Sequence, residues 1–404
     1  MRYATWIAAA VLCGVVAEAE QSLGNTNELK TLTVEQAKAV ASNAKSSSAG
    51  VLSLNGLTTL SAEVAAALAQ RRDVKRLSLD GLTTLSDEAA KPLAQYKGDL
   101  VLNGLTTLSK EAAASLAQHT GDLHLNGLTT LSDEAAKALA RSNGYQLSLN
   151  GLTTLSDAAA NELSRFKGGL SLNGLTTISV EQAKALPLCG EKFQAGFVHM
   201  GPNKGGLSLD GLTTLSTDAA VALTSDSKNY TLSLNGLTTL SDEVAKRLGF
   251  HQGLLYLNGL TTLSGEQAKA LARHAGWLFL DGVTTLSEDA AKALAQNPGQ
   301  RPGGLSLGGL TTISDEAAKA LAQHKNGLWL GGLTTLSDEG AKALAQHSGM
   351  LRLDGLPTLS NEAAQALAKH MGWLSLGGLT ALPDEAAKVL RANPSIALPE
   401  KFKR

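Results

Sequence analysis

The sequence contains few cysteines and few aromatic residues. Among its 404 residues are two cysteines, four tryptophans, five tyrosines and six phenylalanines. The two cysteines, Cys13 and Cys189, are too few for a disulfide-stabilised scaffold. An excess of charge of either sign is also absent, since 35 basic residues stand against 36 acidic ones. This balance excludes a basic nucleic-acid-binding protein and a polyacidic disordered tail, so we expect no nucleic-acid partner.

Long apolar runs are absent except near the start of the chain, and we expect no membrane span. There Arg2 supplies a positive charge and residues 4–16 form an apolar run, shorter than the roughly 20 residues that a spanning helix needs. A site of small residues that ends at Ala19 matches what a signal peptidase reads, so residues 1–19 are predicted to be a cleaved signal peptide. A lipid anchor on Cys13 and an uncleaved segment are the alternatives. We therefore expect a secreted, periplasmic or cell-surface protein.

Motifs for catalysis and for cofactor binding are missing as well. The sequence has no phosphate-binding glycine loop, no nucleophile elbow and no Cys-x-x-Cys pair. A Ser-Asp-Glu triplet recurs along the chain, and such repetition indicates helix capping, not a catalytic pair. We therefore expect no enzymatic activity, no catalytic residues and no cofactor.

What the chain does have is an internal repeat. Fourteen copies align on one glycine, and most of them are 23 residues apart. One copy reads Leu-His-Leu-Asn-Gly-Leu-Thr-Thr-Leu-Ser-Asp-Glu-Ala-Ala-Lys-Ala-Leu-Ala over residues 123–140. A period of this length is typical of a solenoid, in which each unit buries its apolar face against its neighbours. The aligned glycines are Gly56, Gly81, Gly104, Gly127, Gly151, Gly174, Gly211, Gly236, Gly259, Gly282, Gly309, Gly332, Gly355 and Gly378.

Each position of the repeat has a predicted role. The Leu-x-Leu segment, present in all fourteen copies, puts both leucines on one face of a short strand. Ser132 is predicted to cap the following helix, with acidic residues beside it at the positive end of the helix dipole. Ala136 and Leu139 lie three residues apart and share the core face of that helix. Ala135 varies among the copies and is predicted to be peripheral, whereas Lys137 faces water.

The unit resembles a leucine-rich repeat, in the short form of about 23 residues found in bacterial surface and secreted proteins. The resemblance implies an α/β solenoid of about 14 repeats, a horseshoe with a parallel concave sheet and short convex helices. It also implies a binding protein whose ligand lies on the concave sheet. The repeat departs from the family at Leu57, where the family usually has asparagine. We therefore expect the family's asparagine ladder to be missing and the paired threonines to satisfy those backbone groups.

Breaks in the repeat indicate the domain boundaries. Residues 20–50 are predicted to form an N-terminal capping helix and a serine-rich link, and residues 51–392 the solenoid. Residues 187–205 are an insertion that contains Cys189, interpreted as a surface loop packing its own apolar side chains or as a contact loop. Residues 393–404 are predicted to form a capping tail over the core that the last repeat leaves open.

Histidine recurs fifteen residues after the repeat glycine in six copies. This position is the end of the helix, where a hydrogen-bonding or cationic side chain suits the free carbonyl groups, so we interpret the histidines as structural. Those of three consecutive copies, His324, His347 and His370, are weak candidates for sharing a divalent metal, but no carboxylate or thiol completes a recognisable site. We expect no metal. The six histidines are His119, His251, His274, His324, His347 and His370.

A candidate binding site lies in the later repeats. Residues that flank each leucine of Leu-x-Leu point away from the core. In the first eight repeats they are mainly small or polar, and from the ninth repeat they become large. A patch of exposed aromatic residues is often a binding surface, and a shallow recess is expected over the small residues of the eleventh repeat. The predicted ligand-binding residues are Tyr256, Trp277, Phe279, Trp329, Arg352 and Trp373.

The sequence thus favours a non-enzymatic, extracytoplasmic binding protein that recognises a protein or a polysaccharide on its concave face. The alternative is a structural spacer or a self-assembling component of an envelope or matrix. Self-association through the solenoid ends or the aromatic patch is compatible with either interpretation. Cover of that patch by the C-terminal tail or by a second copy of the protein would hide the binding surface. A binding protein needs an uneven face with an aromatic patch, whereas a spacer needs uniform exposed positions or end-to-end assembly.

Overall fold

The computed structural model shows short strands that alternate with short helices, one of each per repeat. The α/β solenoid predicted from the sequence is therefore confirmed. The predicted signal peptide, Cys189 and most of the insertion 187–205 lie outside the described residues. The structure describes residues 29–43, 50–71, 74–188, 206–225, 230–296 and 303–403.

Each strand is two or three residues long and lies at the Leu-x-Leu segment of its repeat, and the tail supplies the last strand. The fifteen strands within the described ranges are Val51–Ser53 (β1), Arg76–Ser78 (β2), Asp99–Val101 (β3), Leu123–His124 (β4), Gln146–Ser148 (β5), Gly169–Ser171 (β6), Leu207–Ser208 (β7), Leu232–Ser233 (β8), Leu255–Tyr256 (β9), Trp277–Phe279 (β10), Gly304–Ser306 (β11), Gly327–Trp329 (β12), Leu351–Arg352 (β13), Leu374–Ser375 (β14) and Ile396–Ala397 (β15).

The helices are two to three turns long, and each packs against the helix of a neighbouring repeat. The fifteen α-helices in the same ranges are Val34–Asn43 (α1), Ala62–Ala69 (α2), Asp87–Leu93 (α3), Lys110–Leu116 (α4), Asp133–Leu139 (α5), Asp157–Leu163 (α6), Val180–Ala185 (α7), Thr217–Thr224 (α8), Asp242–Leu248 (α9), Gly265–Leu271 (α10), Glu288–Ala295 (α11), Asp315–Leu321 (α12), Asp338–Leu344 (α13), Asn361–Leu367 (α14) and Asp384–Arg391 (α15). Short 3-10 segments lie at Leu186–Leu188 and Glu400–Phe402.

The strands form one parallel sheet in which their order is the order of the chain. Equivalent leucines pair across the sheet, as Leu100 of β3 does with Leu123 of β4. A slip of one residue would turn the leucines from the core to the outer face, so the leucine columns hold the register. The chain divides into two compact units, of which the first contains β1 to β7 and the second β8 to β15.

The core lies between the sheet and the helices and consists of columns of leucine and alanine. In the fourth repeat, Leu125, Leu128, Ala136 and Leu139 have no exposed surface. Alanine allows neighbouring helices to approach closely, toward the short end of the usual interaxial distances of about 8–10 Å.

The position of Ala135 is also fully buried, so the prediction that it is peripheral was wrong. It varies because there is room for a branched side chain, since Val64 and Val244 are buried at the equivalent positions of other repeats. Variation at this position among the copies therefore indicates steric tolerance and does not indicate exposure.

The predicted serine caps are confirmed. Ser132 Oγ accepts a hydrogen bond from the backbone amide of Ala135 at 3.2 Å, as is usual for an N-cap residue. Several cap serines also donate to the aspartate that begins the preceding helix, as Ser156 Oγ does to Asp133 Oδ1 at 2.5 Å. Where a Ser-Asp pair occurs, the serine caps its own helix, and in four described pairs of repeats the aspartate also bonds to the cap serine of the next helix.

A ladder of asparagine and aspartate side chains is present, contrary to the expectation drawn from Leu57. The residue before the repeat glycine provides it: Asn150 Oδ1 accepts from the backbone amide of Asn173 at 2.9 Å, and the same bond recurs in both units. Threonine backbones also bond between repeats, as Thr106 N does to Thr83 O at 3.2 Å. Both devices satisfy backbone groups at the turn, where an unpaired buried group would be costly.

The serines on the outer face of the sheet belong to the same ladder. Ser171 Oγ donates to Asn150 Oδ1 at 2.6 Å, and Ser233 Oγ donates to Asp210 Oδ1 at the same distance. These serines are buried even though they alternate with the core leucines. They stabilise contacts between repeats and offer little surface to a ligand.

Two consecutive repeats interrupt the ladder. Gly308 and Gly331, like Gly377 of the last repeat, stand where the other eleven repeats have asparagine or aspartate, so neither can accept a bond from the next backbone amide. Gly331 is exposed, and a Cβ atom added there would meet nothing within 4 Å. The backbone amide of Asp354, which follows one repeat later, therefore lacks its ladder partner.

Both ends of the described chain add side chains to the core. Ala37 and Val40 of α1 are buried, and Thr33 caps that helix by accepting from the Gln36 amide at 3.2 Å. At the other end β15 pairs with β14, and Leu398 is buried beside it. Within the described ranges no helix has the length and apolarity that crossing a membrane requires.

Ala136→Leu should lower the free energy of unfolding by about 1–3 kcal/mol, because the added side chain has no room between two packed helices. Ala135→Val should cost less, since other repeats carry valine there. Lys137→Leu, at an exposed position, should change stability by no more than about 0.5 kcal/mol. Urea unfolding of the three variants tests this order, and equal midpoints would show that the helix register is wrong.

Gly331→Asn should raise the free energy of unfolding by about 0.5–1.5 kcal/mol, because its side-chain oxygen would accept the Asp354 amide and continue the ladder. Gly331→Ala is the matched control, since it removes the flexibility of glycine without adding an acceptor. If both variants unfold at the same urea concentration, the ladder bond contributes nothing at this position.

Candidate functional site

Five of the predicted ligand-binding residues lie together on the outer face of the sheet in the second unit. Tyr256, Trp277, Phe279, Trp329 and Arg352 come from strands β9, β10, β12 and β13. Their places are set by the leucines beside them, which turn inward and leave the intervening residues on the opposite face. We call these five residues the aromatic cluster.

The rings of the aromatic cluster are in contact with one another. Tyr256 stacks on Phe279 with ring centroids 4.2 Å apart and planes 5° apart. Phe279 lies 5.7 Å from Trp277, and Trp277 lies 4.4 Å from Trp329. Parallel strands stand about 4.8 Å apart, so large flat side chains on neighbouring strands have to stack.

The recess expected over the eleventh repeat is filled by the indole of Trp277. A Cβ atom added to Gly304 would lie 2.6 Å from that ring, and one added to Gly327 would lie 2.8 Å from it. The indole therefore crosses β11 and reaches β12, where it meets Trp329. The two glycines leave the room, and the ring occupies it because a flat apolar ring gains contacts there that water cannot give.

Most of the cluster is buried by its own contacts. Tyr256, Trp277 and Phe279 are buried, and Trp329 and Arg352 are half-buried. Trp373 differs, because it is 43% exposed and none of the ring contacts in the described chain joins it to the cluster. The cluster is thus a packed aromatic floor, and the surface free to meet a ligand lies beside it.

Met350 belongs to that free surface, although it was not among the predicted ligand-binding residues. It is 42% exposed and precedes β13 just as Trp373 precedes β14. The sequence could have identified it, because Met350 occupies the same repeat position as Trp277 and Trp373, one residue before the first leucine of Leu-x-Leu.

Arg352 is committed to partners within the protein. Its guanidinium lies 4.9 Å from the ring centroid of Trp329, and its Nε and an Nη both contact Asp354 Oδ2 at 2.9 Å. Burial opposes the charge of Asp354, but hydrogen bonds from Ser375, Gly377 and Arg352 outweigh burial and lower the pKa of its carboxyl group. The pair is therefore ionised and mutually neutralised at neutral pH.

Two polar atoms within the cluster have unusual surroundings. Burial, with a smaller effect of the nearby Asp281 carboxylate, raises the pKa of Tyr256 to about 12, so its hydroxyl stays protonated in any physiological range. The Trp329 Nε1–H group is buried and has no hydrogen-bond partner in the described part of the chain. An unpaired buried donor is costly, and an acceptor brought close by a ligand would relieve that cost.

The three weak metal candidates do not converge on a common point. His324 and His347 have ring centroids 6.5 Å apart, and His347 and His370 have them 6.2 Å apart, with nearly parallel rings in the second pair. Parallel rings direct their nitrogen lone pairs side by side, whereas a metal needs them to meet about 2 Å from one centre. Among the described residues no group of three histidine, cysteine or acidic side chains could hold a metal ion.

Other exposed apolar residues lie away from the cluster. Phe250 follows α9 and is 55% exposed, and Met371 follows α14 and is almost wholly exposed. An open depression of about 420 Å³ on the helical side is lined by His347, Lys369 and Met371 among others. Its lining has no acidic residue and no tryptophan, tyrosine or phenylalanine, so the sheet face of the second unit remains the better candidate site.

Gly304→Ala should displace the Trp277 indole, because the new methyl group would overlap its ring. Near-ultraviolet circular dichroism should change while the far-ultraviolet spectrum, which reports the backbone, stays the same. Gly331→Ala is the control, since nothing lies within 4 Å of the added atom. An unchanged near-ultraviolet spectrum for Gly304→Ala would contradict the position of the indole.

Comparison with known proteins reaches only the architecture. No protein-family model matches the sequence, and no curated protein matches it. Among solved structures, a leucine-rich-repeat protein of Leptospira interrogans is 21% identical, with 95% of this chain and 94% of that one covered and a TM-score of 0.43. An internalin of Listeria monocytogenes is 15% identical, with 91% and 89% covered and a TM-score of 0.37.

A third solved structure, the Toll–Spatzle complex of Drosophila, is 14% identical, with a TM-score of 0.41. It matches over 87% of this chain and 52% of the other chain. Values this low transfer no partner or activity. The structure is a leucine-rich-repeat-like α/β solenoid, and this description rests on its own repeat, its strand order and the packing of its helices.

Proposed function

We propose that this protein is a non-enzymatic, extracytoplasmic binding protein that recognises a protein or a polysaccharide on the sheet face of its second unit. The observation that carries the proposal is the packed aromatic cluster with exposed Met350 and Trp373 beside it. The signal-like segment at residues 1–19 supports the location.

The cluster suits binding because it is ordered before a ligand arrives. Its rings already contact one another, so little side-chain entropy remains to be lost on association. Tryptophan and arginine are the residue types that most often carry the energy of an interface, especially when surrounding contacts exclude water. The ordered cluster thus lies beside the two exposed side chains, Met350 and Trp373.

The exposed residues indicate what the face can contact. Trp373 offers a flat ring that can stack on a sugar or receive an apolar side chain, and Met350 adds a flexible apolar contact. An unpaired arginine on this face would attract acidic groups, but Asp354 neutralises Arg352. The face therefore favours a ligand with an apolar or flat surface over one that is strongly acidic.

A structural spacer is the second candidate, and the first unit favours it. Among its outer sheet positions, Ser78, Ser148, Ser171 and Ser208 are buried, and Ser78 and Ser171 donate to the ladder. A face whose polar groups are already paired within the protein has little to offer a ligand. In this alternative the second unit assembles with other copies of the chain through Trp373 and Met350.

The double variant Met350→Ala/Trp373→Ala should lose ligand capture while keeping its fold, because both side chains are exposed and make few internal contacts. Capture from envelope and polysaccharide fractions, followed by direct titration of the species found, measures the effect. Phe250→Ala is the matched control, since it removes an exposed aromatic residue from the helical side. A loss of affinity of at least tenfold, or about 1.4 kcal/mol, confined to the double variant is expected.

Two results would contradict the proposal. Equal affinity of the double variant and the wild type would remove the sheet face from consideration. Light scattering that shows concentration-dependent assembly of the wild type, abolished in the double variant and unaccompanied by any ligand, would establish the spacer alternative.

A further inference from the structure

In the repeats where it is described, the residue fifteen positions after the repeat glycine lies at the end of the helix and is buried or half-buried. Its side chain can donate to a backbone carbonyl of the preceding repeat, as Tyr96 does to Val74 O at 2.8 Å and Asn393 does to Ala368 O at 2.9 Å. Phe166, whose side chain has no polar atom, occupies the same position and is also buried. The position therefore accepts several neutral side chains and also Arg71, which is buried and donates to Val40 O, so histidine there is not required by space alone.

Two of the histidines at this position stack on each other below the aromatic cluster. His251 and His274 have ring centroids 5.6 Å apart and planes 9° apart. The ring of Tyr230 lies edge-on to His251 at 4.8 Å. Both histidines are almost completely buried, so water cannot solvate a charge on either ring.

Hydrogen bonds join this pair to the strands that carry the cluster. The backbone amide of Gly253 donates to His251 Nδ1 at 3.3 Å, which leaves the hydrogen of the neutral ring on Nε2. His274 Nε2 donates to the carbonyl oxygens of Gly253 at 3.0 Å and of Trp277 at 3.2 Å. Gly253 lies just before β9, and Trp277 begins β10.

Among the described residues, no acidic side chain compensates a charge on His251. Tyr230 faces His251 as a neutral ring whose hydroxyl donates to a backbone carbonyl. The charge that acts on His251 is that of His274, and backbone groups of His251, Gly253 and Trp277 face His274. Burial lowers the pKa of His251 well below its usual value and lowers that of His274 to about 4.

Protonation would break the Gly253–His251 hydrogen bond and charge the pair, although the bonds that His274 Nε2 donates would remain. A proton on His251 Nδ1 would take the place of the hydrogen bond from Gly253 and put an uncompensated charge in the core. A charge on His274 would add repulsion between the two stacked rings. We propose that the His251–His274 pair is a proton-sensitive latch that holds β9 and β10, and with them the aromatic cluster, in place only while both rings are neutral.

The direction of the pH effect follows from the folded and unfolded states. An unfolded histidine takes up a proton near pH 6.5, whereas the folded pair resists protonation, so the stabilisation is complete above that pH and is lost as the pH falls toward 4. For His274 alone, pKa values of about 6.5 unfolded and about 4 folded raise the unfolding constant about 20-fold between pH 7 and pH 5. Ligand capture by the cluster would fall over the same range, a consequence that rests on the proposed function.

The double variant His251→Phe/His274→Asn tests the latch, because Phe166 and Asn393 occupy the same position in other repeats. Urea unfolding of the full chain at pH 7 and pH 5, followed by fluorescence of Trp277, Trp329 and Trp373, measures the unfolding constant. Between the two pH values this constant should rise at least about 20-fold more in the wild type than in the variant. An equal rise in both proteins would overturn the proposal.

Hydrogen exchange gives a local readout without a ligand, so its outcome is independent of the proposed function. After correction for intrinsic rates, residues 251–280 should exchange faster at pH 5 than at pH 7 in the wild type and not in the double variant. His119→Tyr is the control in the first unit and should leave this segment unchanged. If the double variant does not fold, titration of the histidine resonances in the native wild type tests the proposal. Ordinary pKa values near 6.5 for both His251 and His274 would overturn the latch.

Discussion

The repeat places each side chain next to the equivalent side chains of the adjacent repeats, and the rest of the structure depends on this constraint. Equivalent residues stand one strand or one helix apart, so every position of the repeat becomes a column of similar groups. Only side chains that can contact themselves favourably are stable in such columns. Leucine and alanine pack, the asparagine side chain accepts from the next backbone amide, and cap serines bond to the preceding aspartate.

Charged groups cannot form such columns inside the protein, which explains how the histidines are held. His251 and His274 stack as neutral rings, and the rings of His347 and His370 also lie nearly parallel in their own repeats. The arrangement that is compact when neutral would place like charges about 6 Å apart after protonation, with little water between them. A column of histidines is therefore stable only over part of the pH range.

The two units use the outer face of the sheet differently. In the first, serines such as Ser171 donate their hydroxyl groups to the ladder. In the second, Gly304 and Gly327 leave space that Trp277 fills, and the ladder is interrupted at Gly308 and Gly331. Departures from the repeat thus coincide with the aromatic cluster, as expected where selection for something other than stability acts on a repetitive chain.

The repeat, the Leu-x-Leu strands, the serine caps and the cluster positions follow from the sequence by itself, because they depend on spacing within one repeat and on local hydrogen bonding. The tertiary structure decided that Ala135 is buried, that Asn150 belongs to a ladder, that Trp277 fills its recess and that Arg352 is paired. All but the Arg352–Asp354 pair depend on atoms of neighbouring repeats, about 23 or more residues away along the chain. The burial of a side chain in a solenoid depends on the size of the equivalent side chains in the neighbouring repeats. The spacing of residues within one repeat does not predict those contacts.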